Sequence, residues 1–98
     1  MATKHNKVAA AALGEHVFAV SPGKKAQIGF DNAGGNTYDV IAYAYTNAED
    51  ASRIKWVLEG GRTTALAKTT LAGFVEVGIE ITVAGAGNSR LEVLESKV

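Results

Sequence analysis

The side chains able to do chemistry are few and scattered along this chain. Two histidines, His5 and His16, are too far apart for a helical ligand pair and have no matching set of carboxylates, so a transition-metal site built on them is not expected. The serines Ser21, Ser52, Ser89 and Ser96 fall in turns or at strand ends. None sits in a Gly-X-Ser-X-Gly elbow, which leaves no nucleophile with a base and an oxyanion pocket. Glu76 and Glu80 alternate with Val75, Val77, Ile79 and Ile81, and four residues along a strand separate them by about 13 Å, too far for either geometry of glycoside hydrolysis. Cysteine is absent, which excludes thiol catalysis, zinc–thiolate sites and disulfides. No enzyme and no cofactor is expected.

Three further groups suit binding rather than reaction. Asp31, Asn32, Asn36 and Asp39 surround Gly34 and Gly35, with Glu49 and Asp50 able to join them where sandwich loops gather. Oxygen ligands of this kind suit calcium. The same residues also stabilise turns through their own side-chain hydrogen bonds, and their spacing matches no calcium loop; the turn role is the expectation, with the four carried as a calcium candidate. Tyr43, Tyr45 and Trp56 offer a flat aromatic platform on which sugar rings would stack, although aromatics serve cores as often as surfaces. The run Gly85-Ala86-Gly87-Asn88-Ser89-Arg90 resembles a phosphate loop, but such loops open a helix, and here both flanks read as strands, so hairpin chemistry accounts for the glycines.

The elements that must position these residues are strands. A segment over 15–20 stops at Ser21-Pro22-Gly23-Lys24, where proline presets one turn angle and glycine supplies the other. Ala26, Ile28 and Phe30 then share one face. Over 37–46, Tyr38, Val40, Ala42 and Ala44 point one way and Ile41, Tyr43 and Tyr45 the other, so both faces are largely apolar, as in a strand covered on both sides or one offering a face to a partner. The loop over 47–51 has room for a helical turn. Ile54, Trp56 and Leu58 alternate with Arg53, Lys55, Val57 and Glu59 up to Gly60 and Gly61, a two-glycine hairpin signal. A threonine-rich edge follows, with Leu66 and Leu71 inward. The strongest alternation runs over 74–84 and is expected to pair through Gly85-Ala86-Gly87-Asn88 with a last strand that turns Leu91 and Val93 inward.

About seven strands at intervals of about ten residues predict an all-β fold, a single β-sandwich, immunoglobulin-like or jelly-roll-like. Residues 13–98 form that domain and residues 1–12 a short N-terminal arm, with room for a turn of helix over 9–13. With 47% hydrophobic and 20% charged residues, the chain has the balance of a globular domain. Ten basic and ten acidic residues cancel, so no general attraction to nucleic acid or an anionic membrane is expected. The weakly apolar run over 8–13 is too short for a secretory signal and no stretch is long enough to span a bilayer, which suggests cytoplasmic synthesis.

The run from Gly73-Phe74-Val75-Glu76-Val77-Gly78-Ile79-Glu80-Ile81 through Gly85-Ala86-Gly87-Asn88-Ser89-Arg90-Leu91-Glu92-Val93, with the Met-Ala-Thr opening, resembles small β-sandwich proteins of tailed-phage virions of the capsid-decoration or tail-accessory type. It covers about the last third of the chain. The resemblance implies a structural subunit, assembled into a virion, that binds other protein subunits, itself and a larger assembly among them. A neutral sandwich with a polar arm and a two-faced apolar strand fits that implication. Its expected contact residues are Lys4, His5 and Lys7 in the arm with Tyr43, Tyr45, Val57 and Phe74 on the sheet. The alternative is a carbohydrate-binding module using Tyr43, Tyr45 and Trp56.

Overall fold

The computed structural model describes residues 3–10, of which the backbone, together with 13–45, 52–86 and 88–97. Eight strands follow one another with no helix among these residues: β1 (Thr3–Ala10), β2 (Gly14–Ala19), β3 (Lys24–Phe30), β4 (Thr37–Tyr45), β5 (Arg53–Arg62), β6 (Leu66–Leu71), β7 (Glu76–Val83) and β8 (Asn88–Lys97). They form two antiparallel four-stranded sheets, ordered β1-β8-β3-β6 and β2-β7-β4-β5. The first strand pairs with the eighth, the second with the seventh, the third with the sixth and the fourth with the fifth. That nesting is a long two-stranded ribbon rolled up so that β8 meets β3 and β7 meets β4. It is the jelly roll of the two expected sandwiches.

The strand count exceeds the expected one through β1. The segment read as an arm lies along β8, with Lys4, His5 and Lys7 opposite Leu94, Val93 and Leu91. Ala9 and Ala10 complete this strand, so they do not begin the turn of helix expected over 9–13. The region given a helical turn, 47–51, lies outside the described residues.

Alternation places the core as expected. Ala26, Ile28 and Phe30 from β3 and Leu91 and Val93 from β8 face Tyr38, Val40 and Ala42 from β4 and Val77, Ile79 and Ile81 from β7, all buried. The Phe30 and Tyr38 rings meet edge to face at 4.8 Å, a favoured aromatic geometry. Leu66 closes the β6 side, and Phe18, Leu71 and Phe74 pack against the cluster from its margins. Phe74, expected on a contact surface, therefore belongs to the packing of the domain.

Two expected hairpins are corrected. Gly60 and Gly61 do not join paired strands; they lie within β5, where the register against β4 shifts and Gly61 adopts φ +66°, a bulge conformation that glycine tolerates. The chain then crosses to the other sheet as β6. Likewise β7 and β8 lie in different sheets, so Gly85 belongs to an arch across the sandwich and not to a hairpin. Gly85 is required by close approach: a Cβ there would come within 2.0 Å of the Gly34 carbonyl oxygen. The connection that does stay within one sheet is β4 to β5.

Candidate functional site

At one end of the sandwich the β3–β4 loop docks on the β7–β8 arch through side chains that are themselves buried. Asn32, with φ +48°, donates from Nδ2 to the carbonyls of Asn36 (2.9 Å) and Thr63 (2.7 Å). Its Oδ1 accepts from the Asn36 backbone N–H (2.9 Å) and Nδ2 (3.1 Å). Asn36 Oδ1 accepts from the Gly85 N–H at 2.7 Å. Ser89 Oγ accepts from the Gly34 N–H (2.9 Å) and Asn36 Nδ2 (3.2 Å). Asp31 caps the rim, accepting from the Arg90 N–H at 2.8 Å and the Ala33 N–H at 3.2 Å. Asp39 points elsewhere, from β4 on the other sheet to the Gly61 N–H at 2.8 Å. The calcium candidates Asp31, Asn32, Asn36 and Asp39 thus do not converge: three hold the loops together and the fourth holds a bulge. Among the described residues no group of three or more His, Asp or Glu side chains is placed to hold a metal ion.

The outer face of the β2-β7-β4-β5 sheet carries a charged belt. Glu15 on β2 stands opposite Glu80 on β7, and Tyr43 on β4 stands between Glu76 and Lys55. Lys55 reaches Glu15 at 3.2 Å and also pairs with Glu80. Arg53 pairs with Glu76 and lies 4.5 Å from the centre of the Tyr43 ring, within cation–π range. The Tyr43 hydroxyl donates to Glu15. That bond, followed by Lys55, holds the Glu15 carboxyl below its usual value, and the same bond raises the Tyr43 hydroxyl. Hydrogen bonding to Glu80 raises Lys55. Lys55 and Tyr43 must cross the row of Ile41 and Gly78 to make these contacts, which accounts for an outward-facing Ile41 with 0% exposure. The apolar second face of β4, expected either to be covered or to meet a partner, is covered at Ile41 by the chain's own ion-pair stems and open at Tyr45.

This arrangement corrects the sugar platform. Tyr43 and Tyr45 project from the outer face, whereas Trp56 is in register with Ala42, a member of the inward set. The three rings do not share a plane of approach, and Tyr43 is engaged by Arg53 and Glu15.

What the sheet leaves open is β5. Its residues from Arg53 through Gly61 are all exposed. Ile54 and Trp56 stand opposite Ala44 and Ala42 on the core-facing side, yet are 44% and 52% exposed, with Leu58 at 41%. On the other side Val57 is 55% exposed, and Tyr45 lies at the adjoining end of β4. The sheet ends at this strand, and among the described residues its free backbone edge and uncovered inner face coincide. Arg62 pins the far end, donating from Nε to the Tyr38 hydroxyl at 3.1 Å, from Nη2 to the Ala65 carbonyl at 2.7 Å and from Nη1 to Glu59 at 2.6 Å. The buried Tyr38 hydroxyl in turn donates to the Thr64 carbonyl at 2.6 Å, and burial raises its pKa. Of the expected contact residues, Tyr45 and Val57 lie on this surface. Tyr43 is spent in the belt, Phe74 in the packing, and Lys4, His5 and Lys7 lie in β1, whose side chains are outside the described set. Ile54, Trp56 and Leu58 as an apolar stripe were visible as an alternation, but alternation reads as core and carries no signal that the facing sheet stops short.

No protein-family profile matches the chain, and no curated protein matches it. Two solved structures are similar to it. One is a chain from the Bacillus endospore appendages, described as a family of disulfide-linked pili: identity is 14%, the TM-score 0.49, and the match covers 100% of this chain and 86% of that one. The other is the SPBc2 prophage-derived protein YomS, at 18% identity and TM-score 0.44, covering 97% of this chain and 94% of that one.

Proposed function

We propose that this chain is a non-enzymatic structural subunit that binds other protein subunits through the β5 edge, its own copies among them, as part of a larger particle of the virion-decoration or accessory type. The observation carrying the reading is the coincidence on β5 of exposed Ile54, Trp56, Val57 and Leu58 with the end of a sheet. Scattered apolar residues on a surface are ordinary, whereas a contiguous stripe beside unpaired backbone is a surface shaped for protein. The fold alone decides nothing, since jelly rolls serve as capsid proteins, lectins and cupins. The polar side chains point the same way: those of the loop end are occupied in holding loops, and those of the belt pair with one another.

The test is the solution mass across a wide concentration range by sedimentation equilibrium, with the purified chain offered to assembled particles of its source. Self-association or stoichiometric uptake by such a particle supports the reading. A chain that stays monomeric at the highest attainable concentration and binds no particle removes it.

A further inference from the structure

The outer face of the β1-β8-β3-β6 sheet holds a trough that neither the loop end, the charged belt nor the β5 edge uses. We infer that it binds a small organic monocarboxylate, the carboxylate held between Arg90 and Lys68 and the body of the molecule lying over Gly29. Gly29 alternates along β3 with buried Ile28 and Phe30, and Arg90 and Glu92 alternate along β8 with buried Ser89, Leu91 and Val93, so these three share the solvent side. Glu92 stands opposite Gly29. On the other flank Ala67 and Lys68 of β6 together answer the single residue Gly29, between the pairs Ile28 with Thr69 and Phe30 with Leu66, which is a bulge. The cavity so formed measures about 470 Å³, with Gly29, Ala65 and Ala67 as small residues between Lys68 and Arg90. That is the size of a small-molecule site.

Gly29 keeps this space open although the fold does not demand a glycine there. At Gly78 and Gly85 a Cβ would come within 2.0 Å of a backbone oxygen. On Gly29 it would meet only the Leu66 carbonyl oxygen at 3.7 Å and Lys68 Cγ at 3.8 Å, and the φ of Gly29 is not positive. Glycine inside a strand weakens it, so one that neither packing nor conformation requires marks a place where something approaches the backbone.

Charge selects the occupant. Strands lie about 4.8 Å apart, so β8 and β6 carry Arg90 and Lys68 on either side of β3, about 10 Å apart at the backbone and within reach of one ligand. The described salt bridges all lie on the other sheet, which leaves both cations without a carboxylate partner among the described residues. The acids of the trough are already engaged: Asp31 Oδ1 accepts from the N–H groups of Arg90 and Ala33, and Glu92 has a partner of its own. Positive charge is therefore what the trough leaves unmatched, and the Arg90 fork suits the two oxygens of a carboxylate. Asp31 and Glu92 repel a second negative charge, which favours a monoanion over phosphate.

The test is amide chemical-shift titration of the ¹⁵N-labelled full chain with butyrate and with glucuronate, whose bodies are apolar and hydroxylated, and with butyramide and inorganic phosphate as controls. The expected result is saturable shifts at Gly29, Ala67, Lys68 and Arg90 with at least one carboxylate, and binding weaker by about tenfold or more for both controls and for Arg90→Gln and Lys68→Gln. Gly29→Val, a good strand former that fills the trough, is expected to abolish binding with the β-sheet circular dichroism kept and the melting temperature equal or higher. Should valine unfold the chain, Gly29→Ala carries the same test as a partial loss. Absence of saturable shifts with both carboxylates, equal binding of butyramide or phosphate, or undiminished binding in the folded Gly29 variant or in both charge variants overturns the site. Association through β5 is read separately by sedimentation and does not depend on any of these outcomes.

Discussion

The loop end built on Asn32, Asn36 and Ser89 and the edge built on Ile54, Trp56 and Leu58 invert each other's chemistry. At the loop end polar side chains are sealed from water, between 1% and 8% exposed, and their described hydrogen bonds hold two cross-sheet arches in place. At the edge the apolar side chains of Ile54, Trp56 and Leu58 stand in water, although Trp56 is in register with Ala42 of the core. A buried amide is tolerable only when its donors and acceptors are matched. An exposed apolar stripe costs little until something covers it. The loop end is therefore where matched polar groups fix the monomer's cross-sheet connections, and β5 is where surface remains for a partner.

Substitutions should separate the two regions. The largest effect is expected for Gly85→Ala: the new methyl meets the Gly34 carbonyl oxygen at 2.0 Å, and the backbone shift should lower stability at or beyond the upper end of about 1–3 kcal/mol, read as a lower urea midpoint at constant m. Next comes Asn36→Ala, which strips the Gly85 N–H of its acceptor and takes the Nδ2 donor from Asn32 Oδ1 and Ser89 Oγ in a buried place; a loss of about 2–3 kcal/mol is expected by the same titration. Should either variant unfold at the parental midpoint, the loop end is not the rigid element described. Leu58→Ser on β5 is expected to lie within about 0.5–1 kcal/mol of the parent in monomer stability, its effect appearing instead as weakened association by sedimentation. A monomer destabilised as much by Leu58→Ser as by Asn36→Ala would erase the contrast.

The smallest effect is electrostatic and tests whether the belt over Ile41 is part of the fold. Glu15 has a lowered pKa in the folded chain, so its contribution is present above the ordinary carboxylate value and is lost as pH falls through the folded one. Being exposed, it is screened and modest. Denaturation midpoints of the parent and Glu15→Gln should differ slightly near neutrality and converge in acid below the usual carboxylate range. A difference that persists unchanged into strong acid would mean that the charge of Glu15 plays no part.

Much of the interior was legible in the residues. Period-two alternation turned Ala26, Ile28, Phe30, Val77, Ile79, Leu91 and Val93 inward without any knowledge of their partners, because successive side chains of an extended chain must take opposite sides. Ser21-Pro22-Gly23-Lys24 was legible too: the Lys24 N–H bonds the Ser21 carbonyl at 3.2 Å and Gly23 sits at φ +74°, angles dictated by those residue types. The candidate surface was half legible. Val57 and Tyr45 read as outward, whereas Trp56 was assigned to the wrong company because periodicity gives the face of a strand and not the extent of the sheet opposite.

Amino-acid type and spacing alone determined that this chain is all-β, which side chains can line its core, and that it lacks the cysteines, triads and ligand spacings of familiar reaction chemistry. Only the tertiary structure decided that Gly60 and Gly61 bend a strand, that Gly85 yields to a carbonyl from another loop, that Ile41 is roofed by ion pairs, and that the inner face of β5 stands uncovered. Each of those depends on which distant segment arrives alongside. A local pattern encodes the direction of a side chain, and it is the packing of the two sheets that determines what the side chain meets.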